Sequence, residues 1–286
     1  MWKQKISISL GNRYKKPTTE LIPLVKAAGF DGISPEWEKD ADLKRIVEAA
    51  EKENLALVSL HAPYGGSADL WSKDASVGDA ALSELLSSLD DAHKFGFPVL
   101  VCHVWIGFGE EPVPSCEGLA RLDVLAERAE KYGVLLAFEN TEGDAHLAAV
   151  LDHFAGNPTV GYCWDSGHEM CYNRHRDLLS LYGDRLFITH LNDNLGVRDF
   201  DGRITYIDDL HLLPFDGIAD WNKIAQNLAE SPFDGPLTFE LNTVSKPGRH
   251  ENDKYAAIPV ECYIAEAYIR ACKVASLYLK AKENMK

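Results

Sequence analysis

Metal-ligating residue types stand at the ends of six strand-like segments of this chain. The segments read VSLHAPY, LVCHVW, LLAFEN, GYCWD, FITHLND and LTFELN, and their ligand-type residues are His61, His103, Glu139, Asp165, His190 and Glu240. Side chains spread so widely along a sequence converge only if the strands are parallel and all end at one rim. A closed parallel barrel meets this condition, because its site is built at the carboxyl ends of its strands. The pattern therefore constrains fold and function together.

Eight short apolar segments recur along the chain, most of them rich in Val, Ile, Leu and aromatic residues, as buried parallel strands are. They begin at Lys5, Phe30, Leu55, Pro98, Gly133, Thr159, Leu186 and Pro236. Helical patterns lie between them, and residues 260–279 are expected to form the last helix. The alternation predicts an α/β fold, a (β/α)8 TIM barrel, with residues 1–286 as a single domain. A doubly wound sheet is the alternative, but it offers a crevice instead of a ring of strand ends.

Strand parity extends the prediction to the barrel interior. Successive strand residues face opposite sides, so the residue two positions before each candidate ligand shares its side. These residues are Ser59, Val101, Ala137, Cys163, Ile188 and Thr238, all small or medium in size. Three long loops, at residues 64–79, 107–117 and 192–214, are expected to shape a pocket at the same rim.

Composition and charge narrow the partners that we expect. A net charge of −15 repels polyanions, so nucleic acid is not expected as a partner. No stretch approaches the roughly 20 apolar residues of a membrane span, and the apolar run in MWKQKISISL is too short for a signal peptide. Six cysteines without a CxxC pair predict buried, reduced thiols and a cytoplasmic location.

The core of the predicted site is the set Glu139, Asp165, His190 and Glu240. Carboxylates inside apolar strands cost several kcal/mol unless they are neutralised, so three of them at one depth indicate a cation. Mixed imidazole and carboxylate ligands suit a divalent metal, with Zn²⁺ or Mn²⁺ as the first expectation and Co²⁺, Fe²⁺ or Mg²⁺ as alternatives. Any one of these residues alone is equally well explained by hydrogen bonds to the backbone or to an arginine.

Five further residues extend the candidate metal site, namely His61, His103, His168, Asp209 and His211. His168 follows Asp165 by three positions, where it could ligate a metal or contact a substrate oxygen. The alternative for all five is a set of hydrogen-bonded polar groups around a pocket. The remaining histidines are expected at the surface; they are His93, His146, His153, His175 and His250. The basic loop SKPGRH, with Lys246 and Arg249, could hold a phosphate, although a solvated loop is the commoner role.

These residues make the chain resemble the xylose-isomerase-like TIM-barrel superfamily, which includes sugar and sugar-phosphate isomerases and epimerases. The resemblance covers all eight strand–helix units and includes the Asp165-x-x-His168 pattern and the stretch DLHLLPFDGIADW. It implies that Glu139, Asp165, His190 and Glu240 bind one divalent metal. The chain departs from the ketose 3-epimerases of this superfamily, because Ala145 and Gly196 stand where those enzymes carry a substrate-gripping Glu and an Arg.

The same barrel serves the DNA-repair AP endonucleases, which bind three zinc ions through nine ligands. The nine positions of this chain that match are His61, His103, Glu139, Asp165, His168, His190, Asp209, His211 and Glu240. The first predicted strand, however, ends in SLGNRYKK and lacks the GxHxS-like start of the endonucleases. The strong acidity also opposes a surface that embraces DNA.

The sequence as a whole predicts a metal-dependent isomerase or epimerase of a sugar, sugar phosphate or inosose-like hydroxy-carbonyl compound. Glu139 and Glu240 are expected to remove and return a proton through a cis-enediolate, from opposite faces of the substrate. The residues expected to bind the carbohydrate are His168, Trp105, Phe108, Trp164 and Arg198. No membrane partner is expected, and a homo-oligomer remains open. The alternatives are an AP-endonuclease-like zinc phosphodiesterase and a non-catalytic sugar-binding barrel.

Overall fold

The computed structural model describes residues 4–39, 42–197 and 204–285. The described residues form nine strands: β1 (Ile6–Leu10), β2 (Gly32–Pro35), β3 (Ala56–Leu57), β4 (Leu60–His61), β5 (Val99–His103), β6 (Leu135–Glu139), β7 (Val160–Asp165), β8 (Leu186–His190) and β9 (Leu237–Phe239). Every pairing between these strands is parallel. β3 and β4 are the two halves of the third predicted strand, which is interrupted at Val58 and Ser59.

The strands form two curved sheets with the orders β3-β2-β1-β9 and β4-β5-β6-β7-β8. Single parallel bridges join the sheets on both sides, between Glu36 and His61 and between Leu191 and Phe239. Because β3 and β4 belong to one strand, the two sheets close into an eight-stranded barrel. The predicted (β/α)8 TIM barrel is therefore confirmed, and the doubly wound sheet, which needs two open edges, is wrong.

Ten α-helices among the described residues surround the strands: α1 (Thr18–Ala28), α2 (Leu43–Lys52), α3 (Ala75–Phe95), α4 (Cys116–Tyr132), α5 (Asp144–His153), α6 (Ser166–Cys171), α7 (Leu178–Tyr182), α8 (Trp221–Glu230), α9 (Asp253–Ala256) and α10 (Val260–Asn284). Glycines with positive φ end α1, α3 and α4, at Gly29, Gly96 and Gly133, where an L-residue would be strained. The side chain of Asp74 caps α3, so this helix begins inside the loop predicted at residues 64–79. No helix of these ranges is both long and apolar enough to cross a membrane.

The interior of the barrel is closed beneath the strand ends. Val101, Ala137, Cys163 and Ile188 form one buried apolar cluster there, together with Val58 and Val99. Thr238 is also buried, and its hydroxyl lies 2.6 Å from that of Ser7. This is the layer that strand parity predicts, so the ligand-type residues two positions further on stand above a closed floor. All six cysteines are free; Cys102, Cys163 and Cys171 are buried as predicted, whereas Cys116 and Cys262 are exposed, so the prediction of buried thiols is wrong for these two.

Candidate metal centre

Four strand ends bring Glu139, Asp165, His190 and Glu240 into one buried group. One ligand atom of each lies within 4.8 Å of those of the other three. His190 Nδ1 lies 3.1 Å from Glu139 Oε1 and 3.2 Å from Glu240 Oε2. Parallel register aligns the group, because Asp165 pairs with His190 across β7 and β8. Three buried carboxylates around one imidazole form a donor set that fits a divalent transition metal.

A second group of ligand atoms within 4.8 Å of one another consists of His168, Asp209 and His211. Asp209 Oδ1 lies 3.4 Å from His168 Nε2 and 2.9 Å from His211 Nε2. His168 enters this group because α6 begins directly after β7, with the Asp165 carboxylate accepting the His168 backbone N–H at 2.7 Å. Asp209 and His211 reach it from the connection after β8, which a bridge between Asp193 and Leu212 holds in place.

A third group consists of His61, His103 and Glu139. Glu139 Oε2 lies 3.3 Å from His61 Nε2 and 3.2 Å from His103 Nε2. The other oxygen of the same carboxylate, Oε1, lies near His190 and, at 3.4 Å, near His168 Nδ1. Glu139 therefore stands between three groups of ligands, fully buried, with both of its oxygens engaged.

The charges of the centre are strongly coupled. Burial opposes the ionisation of Glu139, but His190, His103 and His168 hold its pKa well below the usual range of a glutamate. Burial likewise opposes charge on His168 and His190. The surrounding carboxylates nevertheless hold the pKa of each imidazole well above its usual value, and at His190 the neighbouring Cys163 contributes as well. Burial raises the pKa of Asp165 to about 6. The imidazolium charges supply the neutralisation that a bound divalent cation would supply in their place.

Arg13 is part of this centre, although no sequence pattern predicted a role for it. It lies in a 3₁₀ turn directly after β1, and its guanidinium contacts Glu240 and lies 3.0 Å from Glu36 Oε1. Against the cost of burial, Arg13 and His190 hold the pKa of Glu240 well below its usual range. Gly11 leaves the room that this arrangement needs, because a Cβ there would lie 2.2 Å from the Glu36 carboxylate. The signal in the sequence that could have identified Arg13 is its position just after the first strand, at the rim where the other site residues lie.

A cavity of about 280 Å³ opens above the ligands. Its lining includes Arg13, Tyr64, Phe108, Glu142, His168, Tyr172, Tyr206, Asp209, Glu240 and Lys246. Phe108 and His168, two of the residues expected to bind the carbohydrate, line this cavity. Lys246, from the basic loop, lines the cavity with Nζ 3.4 Å from Asp209 Oδ2. Arg249 of the same loop turns away and pairs with Glu251.

Trp105 and Trp164, both expected to bind the carbohydrate, do not line this cavity; Trp105 lines a neighbouring cavity of about 230 Å³ instead. Trp164 alternates with the inward-facing Cys163 and Asp165, so its indole points toward the helices and donates to Glu169 Oε2 at 2.8 Å. Trp105 is buried and stacks on His146, with ring centroids 5.6 Å apart. Arg198, the remaining residue expected to bind substrate, lies outside the described residues.

His146 is buried, so its predicted surface location is wrong. Its ring is enclosed between Trp71 and Trp105, and its Nδ1 lies 2.7 Å from Glu111 Oε1. The same carboxylate oxygen accepts the backbone N–H of Ala145. His146 thus links the loop after β5 to the start of α5. Its role is to stabilise the packing of these rim segments.

Comparison with known sequences places this barrel in a family. The family model described as xylose isomerase-like TIM barrel matches residues 22–261. Uncharacterized protein y4fM of Sinorhizobium fredii (strain NBRC 101917 / NGR234) is 34% identical over 306 aligned residues, which cover 90% of this chain and 93% of that protein.

Solved structures share the fold at lower sequence identity. An L-ribulose 3-epimerase is 16% identical with a TM-score of 0.72, and the match covers 99% of this chain and 97% of the epimerase chain. The IolI protein with a bound zinc atom is 18% identical with a TM-score of 0.72, and the match covers 96% of this chain and 98% of the IolI chain. A fusion of a xylose isomerase-like TIM barrel with a 4-hydroxyphenylpyruvate dioxygenase is 16% identical with a TM-score of 0.70; the match covers 94% of this chain, which spans 42% of the fusion protein.

Proposed function

Because the chain belongs to the xylose isomerase-like TIM-barrel family, we propose that it is a metal-dependent isomerase or epimerase. Its substrate would be a sugar, a sugar phosphate or an inosose-like hydroxy-carbonyl compound, and residues 1–286 would act as one barrel domain. The observation that carries the proposal is the buried four-ligand group, which meets the cavity through the Glu240 carboxylate. An epimerase and a zinc-binding protein are among the structures with this fold, which supports the same class of chemistry.

The residues that would hold the metal are Glu139, Asp165, His190 and Glu240, with Zn²⁺ or Mn²⁺ as the best match to these donors. When bound, a divalent metal polarises a substrate carbonyl and the neighbouring hydroxyl, which acidifies the hydrogen on the carbon between them. Around it, Glu36 and Arg13 fix the orientation of Glu240, and His168 is in reach of a substrate oxygen at the cavity wall.

Glu240 is the carboxylate that we assign to proton transfer, because it lines the cavity and Arg13 keeps it ionised. Glu139 was expected to share this role, but its two oxygens face four imidazoles beneath the cavity, so we assign it chiefly to metal binding. One base on one face of the substrate can carry a proton between neighbouring carbons through a cis-enediolate. Inversion at a single carbon requires a second acid on the opposite face, so these assignments favour isomerisation.

Hydrolysis of a phosphodiester is the second candidate, and the two additional ligand groups favour it. His61 and His103 share Glu139 with the first group, and His168, Asp209 and His211 form the other. Clustered metal ions activate a water and stabilise the leaving oxygen in such hydrolases. Against this candidate stand the net charge of −15 and a cavity of about 280 Å³ with several aromatic side chains in its wall, which suits a small molecule better than a duplex.

The experiment that separates the two combines elemental analysis with activity in D₂O. We expect at least one metal per chain, isomerisation of one member of a panel of free and phosphorylated ketoses and inososes, and deuterium at the isomerised carbon. Glu240→Gln should abolish turnover without unfolding the barrel, and Asp209→Asn, which disrupts only the second ligand group, should retain metal at the first. Metal-dependent nicking of an abasic duplex at low salt, lost in Glu240→Gln and without activity on the panel, would assign the hydrolase instead.

A further inference from the structure

A second cavity, of about 230 Å³, adjoins the cavity above the ligands, and Phe108, Glu142 and Tyr172 line both. We call the two the inner chamber, which contains Glu240, and the outer chamber, which contains Gly109 and Arg174. Small-molecule sites usually occupy roughly 300–1,000 Å³. Each chamber alone is smaller than this, and the two combined fall within it. The chambers are therefore best understood as one site with two compartments.

The junction between the chambers combines apolar rings with an unpaired carboxyl group. Phe108 is 44% exposed, and its ring centroid lies 6.1 Å from that of Tyr172 and 6.3 Å from that of Tyr206. Glu142 makes no ion pair with any residue in the described ranges, although it is largely buried. Sugar rings present apolar C–H faces that pack on aromatic rings, and their hydroxyls donate hydrogen bonds to carboxylates. The junction offers both kinds of contact.

The charge of the outer chamber indicates which ligand it would take. Its charged lining residues are Glu111, Glu142 and Arg174. Glu111 is hydrogen-bonded to His146 and to the backbone N–H of Ala145, which occupies its oxygen but does not remove its charge, so the lining holds two carboxyl groups and one guanidinium. A lining without an excess of positive charge gives little attraction for a phosphate or a carboxylate, whereas an uncharged, hydroxyl-bearing ring can bond to Glu142 and to Arg174.

We propose that the substrate is a glycoside, with the reacting keto sugar in the inner chamber and a second sugar ring in the outer chamber. Glu142 accepts hydroxyl hydrogen bonds at the junction, and Phe108 and Tyr172 pack against the ring faces. This inference rests on the proposed function and adds to it the size and the neutral charge of the substrate. A free monosaccharide fills only the inner compartment.

Calorimetric titration of the metal-loaded protein tests the outer chamber with D-fructose and with the ketose disaccharides lactulose, maltulose and isomaltulose. We expect at least one disaccharide to bind tenfold or more tightly than fructose. Glu142→Ala and Gly109→Leu should each reduce the ratio of disaccharide to fructose affinity at least tenfold. Gly65→Leu is the matched control for the second variant, because both glycines have no neighbour within 4 Å of an added Cβ and Gly65 lines neither chamber. Its ratio should not change.

Equal binding of fructose and all three disaccharides, or a ratio that the two variants leave unchanged, would overturn the inference. So would binding of none of these sugars. The result remains distinguishable from a failure of the proposed function. Tighter disaccharide binding that depends on Glu142 and Gly109, without isomerisation or deuterium uptake, would uphold the outer chamber and reject the enzymatic activity.

Discussion

Replacement of Arg13 by methionine tests whether an ion pair holds Glu240 in place. The Glu240 side chain is 2% exposed, and the Arg13 guanidinium contacts it directly. Loss of one partner of a buried ion pair costs roughly 3–5 kcal/mol, because the other charge stays in a medium of low polarity. His190 Nδ1, at 3.2 Å, still neutralises part of the Glu240 charge. We therefore expect Arg13→Met to lower the free energy of unfolding of the metal-free protein by about 2–3 kcal/mol.

A bound divalent cation would neutralise Glu240 in place of the guanidinium, so the loss should shrink when metal is present. Urea denaturation at pH 7 in EDTA and in saturating ZnCl₂ measures this difference, and we expect the loss in zinc to fall below about 1 kcal/mol. Arg185→Met is the matched control. That guanidinium donates to the backbone carbonyls of Leu151, Phe154 and Val160, so its loss should be the same in both conditions. An Arg13→Met loss that does not depend on metal would refute the reasoning.

Two further predictions concern stability. Burial raises the pKa of Glu169 to about 7 from the ordinary 4.5, so the folded protein binds a proton more tightly and the free energy of unfolding falls as pH rises between these values. Glu169→Gln should reduce this fall, measured by urea denaturation at pH 5 and pH 8, by about 2–3 kcal/mol, and an unchanged pH dependence would contradict the assignment. Gly118→Ala would place a Cβ 2.2 Å from the buried Trp71 ring, so we expect urea denaturation to show a loss of about 1–3 kcal/mol. Gly65→Ala, with open space around it, should be nearly neutral, and equal effects of the two alanines would count against tight packing at Gly118.

The sequence alone determined the barrel and the position of its ligand-type residues. Six apolar segments of strand length end in His, Asp or Glu, and because successive strand residues face opposite sides, each of these residues shares its side with a small or medium-sized interior residue, as Asp165 stands above Cys163. Trp164 lies between these two residues, so the same parity already pointed its indole away from the site. Such predictions need only local sequence, because in a strand the direction of each side chain follows from its position relative to the residues before and after it.

Tertiary structure decided the contacts that join distant parts of the chain. Arg13 meets Glu240 only because β1 pairs with β9 when the barrel closes, and no local pattern encodes that pairing. The burial of His146 depends likewise on a tryptophan from each of two loops, and the position of Glu142 between two chambers depends on the packing of Phe108 and Tyr172. Loop residues beyond the strand ends do not follow the two-residue alternation of a strand, so the sequence does not predict the direction of their side chains. Their contacts depend on how the rim loops pack.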